Sequence, residues 1–312
     1  KDSFRGSSKT LNRESCYKRP INNYMTLSNN IDKVGSILNA IKLNDSEWFK
    51  ADIKAEELVV VIDGGYVQYL EKGNHNFEEL ISTIYNPKHV IPRSGKDAGN
   101  KITQKVSVGS ALSDGQENIK KLTINALKKS GMDINTKVSV FTDGANNCWS
   151  VVAKLDEQCK QVIRILDWFH VGKHYTETSH IIPDELKESF INSKWFLYHD
   201  KANEGIDRLC KVRDKLTEEK GIERIQKLID YVIRNKAYFC DYSVRQKQGL
   251  PISSQLAECA VNNVINQRQK NKQMQWSREG ANNILQIRGS IFSGTWEEDW
   301  KYIESRMYKK AA

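Results

Sequence analysis

Lys137-Val-Ser-Val-Phe-Thr-Asp-Gly-Ala-Asn-Asn147 decides how the chain reads. Val138, Val140 and Phe141 are β-formers that suit a buried strand. The run stops at Thr142-Asp143-Gly144, where glycine permits a sharp turn. This predicts Asp143 at the carboxyl end of a central strand, the edge of an open α/β sheet where ligands and chemistry collect. Two stretches echo it. Leu58-Val-Val-Val-Ile-Asp-Gly-Gly65 is an apolar run that should end at Asp63, and Val162-Ile-Arg-Ile-Leu-Asp167 should end at Asp167, just before Trp168-Phe-His170.

Outward from these runs, the order of elements points to an α/β fold. After Asp63, strand character returns over Ile81–Tyr85 and over Ile102–Leu112, with a hinge-like Pro92–Asn100 between them. Asp114–Ser130 has Ile119, Leu122, Ala126 and Leu127 on one helical face and Gly131 as its stop. A helix around Trp149–Leu155 separates the last two strands. Three early strands followed by helix, strand, helix and strand imply a mixed sheet with flanking helices.

The texture changes after His180. Residues 182–247 hold no strand-like run but three amphipathic patterns. They run through Leu186, Phe190 and Phe196, then Ile206, Leu209, Val212 and Leu216, then Ile222, Ile225, Ile229, Val232 and Ile233. This is an all-helical insertion. Helical spacing resumes over Leu256–Arg268, with Ala257, Val261, Val264 and Ile265 inward, and again through Ile284, Ile287 and Ile291. The expected organisation is a basic arm and helix at 1–50, a core at 51–180, the insertion at 181–250, the rest of the core at 251–295 and a tail at 296–312. Residues 1 to about 25 carry six cations (Lys1, Arg5, Lys9, Arg13, Lys18, Arg19) and no periodic apolar face. They read as a mobile or loosely docked arm, or as a tail that touches DNA.

The net charge is +9 over 312 residues, which favours an anionic partner, most often nucleic acid. No run approaches the ~20 apolar residues of a membrane span, and no signal segment opens the chain. The six cysteines (16, 148, 159, 210, 240, 259) form no C-x-x-C pair and read as free thiols of a reducing compartment, the cytoplasm. The chain starts at Lys1 without Met, so upstream sequence is expected.

Asp63 and Asp143 are candidate partners in chemistry, and Glu258 is the natural third. Ser254 lies four residues before Glu258, where a capping box needs three, and Glu258 borders the buried face, so its carboxylate needs a partner. Three converging carboxylates repel unless cations compensate. All-oxygen ligands suit Mg²⁺ or Mn²⁺ and not zinc, and two such ions about 4 Å apart clamp an in-line displacement at phosphorus. His170 and His174 have helical spacing, but Val171 stands where a zinc protease helix carries glutamate, which excludes that class.

Four ordered blocks carry a resemblance: Val60-Val-Ile-Asp-Gly-Gly65, Phe141-Thr-Asp-Gly-Ala-Asn-Asn-Cys-Trp149, Ile165-Leu-Asp-Trp-Phe-His170 and Leu256-Ala-Glu-Cys-Ala-Val-Asn-Asn-Val-Ile-Asn-Gln-Arg268, running on through Met274-Gln-Trp-Ser-Arg-Glu-Gly280 to Leu285-Gln-Ile-Arg288. Together the chain resembles the bacterial insertion-sequence transposases with an RNase H-like DDE catalytic domain, of the ISKra type. The resemblance implies an RNase H-like (retroviral-integrase-like) five-stranded mixed sheet interrupted by the helical insertion. It implies Asp63, Asp143 and Glu258 as the catalytic, metal-holding triad with two Mg²⁺ or Mn²⁺ ions per site. Asp63 would bridge both ions, Asp143 would hold one and Glu258 the other.

It further implies metal-dependent cleavage at transposon ends and strand transfer into target DNA, by a homodimer or larger assembly on double-stranded DNA in the bacterial nucleoid. Asp167 and His170 would support the site or meet the DNA end, although an Asp–His hydrogen bond at a strand end is an equal reading. Arg268, Lys270, Lys272 and Arg278 would contact phosphates; Trp276 would stack on an unpaired base or sit in the core. Cys259 stands where serine is expected, and the front of the chain is short for such an enzyme. Two alternatives remain open at this point: a repurposed DNA-binding protein that no longer cuts, and an RNase H-like nuclease or resolvase.

Overall fold

A computed structural model of the chain describes residues 4–14, 23–71, 76–92, 100–254 and 260–309. It is a mixed α/β structure. Its elements are α1 (Phe4–Glu14), α2 (Tyr24–Asn44), β1 (Glu57–Tyr69), β2 (Asn76–Tyr85), β3 (Val90–Pro92), β4 (Asn100–Ile102), β5 (Val106–Ser110) and α3 (Glu117–Lys129). Next come β6 (Lys137–Thr142), α4 (Asn146–Val151), β7 (Gln161–Leu166), α5 (Trp168–Ser179), α6 (Asp184–Tyr198), α7 (Ala202–Arg213), α8 (Glu219–Arg234) and α9 (Tyr242–Lys247). A π-helical stretch, Val261–Asn266, runs into the short α10 (Gln267–Gln269), then β8 (Gln275–Trp276), α11 (Arg278–Ser293) and α12 (Trp296–Lys309). The main sheet has the order β5-β2-β1-β6-β7, with β8 beside β1, and β3 and β4 form a separate ribbon. Among the described residues no helix is long and apolar enough to cross a membrane. Cys148, Cys159, Cys210 and Cys240 are free thiols, as expected; Cys16 and Cys259 lie outside the described residues.

The chain divides into two compact units. The first is Lys1–Val138, Val151–Gln161 and Ala257–Ala312; the second is Ser139–Ser150 and Val162–Leu256. In the first unit β1 pairs antiparallel with β2, and β2 with β5. The start of β6 lies beside the start of β1, where the Lys137 N–H donates to the Glu56 carbonyl at 2.9 Å and the Thr136 hydroxyl to the Ala55 carbonyl at 2.7 Å.

Strand β1 does not stop at Asp63. It continues for six more residues, because Gly64 and Gly65 stay extended opposite Leu80 and Glu79, and Gln68 and Tyr69 gain β8 as a second partner. Gly65 earns its place by proximity: a Cβ there would lie 3.1 Å from Ile265 Cδ1, so the bare backbone lets the π-helical stretch close onto the sheet. Val67, Phe77, Ile81, Ala260, Val264, Ile265 and Leu285 form the core beneath it.

Helix α11 buries Ile284, as expected, but not the rest of its expected face. Ile291 is 58% exposed, while Asn282, Asn283 and Gln286 are buried. The reason lies in β5, an edge strand with unpaired backbone groups. The Ala111 N–H just past β5 donates to Asn282 Oδ1, Gln286 Nε2 donates to the Gly109 carbonyl, and the Ser107 N–H donates to Ser293 Oγ. The inner face of α11 is amide-rich because it completes a sheet edge. The N-terminal arm is helical where described, and Phe4 packs edge-on against Trp276 at 6.4 Å.

Helix α2 crosses α11 so closely that a Cβ on Gly35 would lie 2.3 Å from the Asn283 carbonyl oxygen. Next to this crossing Lys42 is 1% exposed and donates to the Gln286 carbonyl at 3.0 Å. Burial lowers its ammonium to about 8; Asp299 opposes that shift and Lys129 adds to it. The folded pKa lies below the unfolded value near 10.5, so the unfolded chain binds more protons between these limits. Stability therefore rises as pH climbs from 8 towards 10.5, by up to about 3 kcal/mol. Urea midpoints compared between pH 7.5 and pH 10 should show this rise relative to Lys42→Met, which lacks the titrating group. Equal pH dependence in the two proteins would contradict it.

Candidate active site

Asp63 lies in mid-strand, half-buried, with Oδ1 accepting the Gly64 N–H at 2.7 Å. Residues two apart on a strand share a face, so Asp63 shares its face with Gly65 and Val67, the face that the 260–266 stretch covers. Glu258 lies outside the described residues, two positions before the buried Ala260.

The same face holds an acid that the sequence did not single out. Glu79, opposite Gly65, is fully buried; burial pushes its carboxyl well above the usual range, against the opposing effects of a hydrogen bond from Gln269 and the charge of Lys270. Gln269 Nε2 donates to Glu79 Oε2 at 3.0 Å, and Glu79 Oε1 has no hydrogen-bond partner among the described residues.

In the second unit Asp143 directly follows β6, as its sequence predicts. Gly144 turns the chain at φ 93°, and Asp143 Oδ1 accepts the Ala145 N–H at 2.9 Å, an Asx turn leading into α4. The helical segment braces this turn. Tyr231 of α8 donates its hydroxyl to the Asp143 carbonyl at 3.0 Å, and a Cβ on Gly144 would lie 2.6 Å from Asn235 Nδ2. Trp149 of α4 packs on Tyr238 with ring centres 4.2 Å apart. Tyr231 sits 88 residues from its acceptor, and no local pattern announces it. Its phenol is pushed up by burial and by the charges of Asp143 and Asp167, so it keeps its proton and acts as a fixed donor. His174 stacks against Tyr231 at 4.2 Å, its pKa lowered chiefly by burial.

Asp167 caps α5 and is fully buried. Its Oδ1 accepts the Phe169 N–H at 3.0 Å and the Ser254 N–H at 2.9 Å; its Oδ2 accepts from His170 Nδ1 at 2.7 Å and from the Ser254 hydroxyl. Four donors saturate this carboxylate. It fastens the end of β7, the start of α5 and the chain returning at Ser254, which is the positioning reading of the Asp–His pair.

The basic run after Asn266 is split in role. Lys270 is exposed. Arg268 is 6% exposed, with its guanidinium 4.8 Å from the Phe4 ring and 5.0 Å from that of Trp276; Trp276, 8% exposed, donates its indole N–H to the Gln269 carbonyl. Neither offers its charge or ring to solvent. Arg278 is half-buried and donates to the Ala111 carbonyl. Nothing is described of the Lys272 side chain.

Among the described residues no group of three or more His, Cys, Asp or Glu side chains is placed to hold a metal ion. No protein-family model and no curated protein matches the chain.

Removing the Asp167 carboxylate leaves buried donors without acceptors, each costing about 1–3 kcal/mol. Asp167→Ala should lower unfolding stability by about 3 kcal/mol or more, whereas Tyr231→Phe, which deletes one bond, should cost about 1 kcal/mol. Urea denaturation of both variants checks the order; equal losses would contradict the hub.

Proposed function

We propose that this chain is the catalytic part of a DNA transposase: an RNase H-like domain that cleaves transposon ends and joins them to target DNA, with Asp63, Asp143 and Glu258 as its acidic triad. The observation that carries this reading is the common start of β1 and β6. Glu56 and Lys137 are hydrogen-bonded neighbours, Asp63 lies seven residues beyond the first and Asp143 six beyond the second. Each carboxylate thus follows an apolar run of similar length from that shared start. Glu258 precedes a stretch packed on the Asp63 face, which adds support.

The donor set suits hard cations: Asp63 and Asp143 are half-buried and offer only oxygen ligands, and the Asp143 backbone is braced by a fixed phenol. With Glu258 they would hold Mg²⁺ or Mn²⁺, which supply Lewis-acid stabilisation of the attacking and leaving oxygens when bound. The chain's own part is positional. The Asx turn and Tyr231 fix the Asp143 backbone, and the saturated Asp167 keeps β7 and α5 in place. Exposed Lys270 offers charge to a phosphate without reading sequence. The net charge of +9 agrees with a polyanionic partner.

Asp63→Asn and Asp143→Asn should each lower Mn²⁺-dependent cleavage and joining of an end oligonucleotide roughly a hundred- to a thousandfold, with duplex binding retained in a gel-shift assay. Undiminished cleavage in both variants would refute the triad. Cleavage without any joining would assign the chain to the nucleases instead.

A further inference from the structure

A cleft of about 240 Å³ opens at the turn between α6 and α7, lined by Asn192, Trp195, Phe196, His199, Lys201 and Arg208. The four residues from α6 and its end are spaced i, i+3, i+4 and i+7, so they share one helical face. This face is aromatic yet turned outward, since Trp195 is 51% exposed. The turn is stiff. Asp200 adopts a left-handed φ of 58°, the Lys201 N–H donates to the Phe196 carbonyl at 2.9 Å, and a Cβ on Gly205 would lie 2.7 Å from Leu197 Cδ2. The helices thus meet without a spacer, and the cleft walls are set by backbone.

Each wall has a chemical role open. The Trp195 ring stands edge-on to the buried Tyr198 at 5.5 Å, which holds its plane. The Arg208 guanidinium lies 5.9 Å from the Phe196 ring. Neither Lys201 nor Arg208 joins an ion pair among the described residues, whereas His199 has Asp241 at 3.9 Å. The volume falls below the roughly 300–1,000 Å³ of pockets for drug-sized molecules, which suits one ring system. We propose that this cleft binds an unpaired nucleobase of a single-stranded nucleic acid, stacked on Trp195, with Lys201 and Arg208 on the adjoining phosphates. Exposed aromatics beside unpaired cations are what such strands need, because every base has a π-face and every link a charge. An acidic peptide would use the cations and leave the ring idle. The inference stands on the cleft alone and does not need the acidic triad.

The test is fluorescence anisotropy of a labelled ten-residue oligothymidine with the full chain in EDTA, which removes metal chemistry from the readout. Trp195→Ala should weaken binding roughly five- to a hundredfold, Trp195→Phe should retain most of the affinity, and Arg208→Gln should reduce the slope of log K against log salt by about one. Binding of a blunt duplex should change little in the Trp195 variants. Unchanged affinity of Trp195→Ala for the single strand would overturn the proposal, as would an equal loss on the duplex. Full competition by a mononucleotide or by polyglutamate at equal molarity would assign the cleft to another ligand and overturn it too. Loss of strand binding here with metal-dependent cleavage intact, or the reverse, separates this cleft from the triad.

Discussion

A carboxylate removed from water must be matched by donors, since an unmatched one would cost several kcal/mol. Asp167 meets that demand with two backbone N–H groups, an imidazole and a hydroxyl. The donors come from two segments, the start of α5 and Ser254, which lies 87 residues away, so satisfying one carboxylate also fixes a strand end, a helix start and the returning chain. The Asp167 N–H in turn donates to the Thr142 carbonyl at 2.9 Å, one residue before Asp143. The position of the candidate catalytic turn therefore descends from the saturation of a neighbouring carboxylate. A residue so fully engaged has little left for a ligand.

The strands were legible because both sheet faces are covered, and buried strands read as continuous apolar runs. The same two letters, Asp-Gly, misled at one place and served at another. Asp143-Gly144 turns with a left-handed glycine, whereas Asp63-Gly64-Gly65 remains extended because β2 and β8 supply partners beyond it. Periodicity also missed the inner face of α11. Apolar counting selects Ile284, Ile287 and Ile291, but the edge of β5 demands amides, and Asn282 and Gln286 supply them. A polar residue buried to satisfy someone else's backbone has no signature in its own sequence.

The candidate site divides the same way. Aspartates at or within apolar runs could be picked out from the chain, since acids are rare there. What holds them could not. Tyr231 and Asn235 act on a turn about ninety residues away, and Arg268 and Trp276 look like a binding surface until Phe4 covers the arginine. The arm that reads as mobile or loosely docked carries Phe4, which closes this stack over Arg268.

The helical segment is accordingly more than an interruption of the sheet. Its inner face, through Tyr231 and Asn235 of the α8 end, grips the backbone of Asp143 with a phenol pushed up by burial and an amide, and beside them stands a histidine whose pKa burial lowers. The outer face of the same segment, at the α6–α7 turn, is built from the opposite materials, the exposed ring of Trp195 and cations without an ion pair among the described residues. One amphipathic assembly thus carries both the braced turn and the cleft, with Leu197, Leu209, Ile225 and Val232 of its helices fully buried.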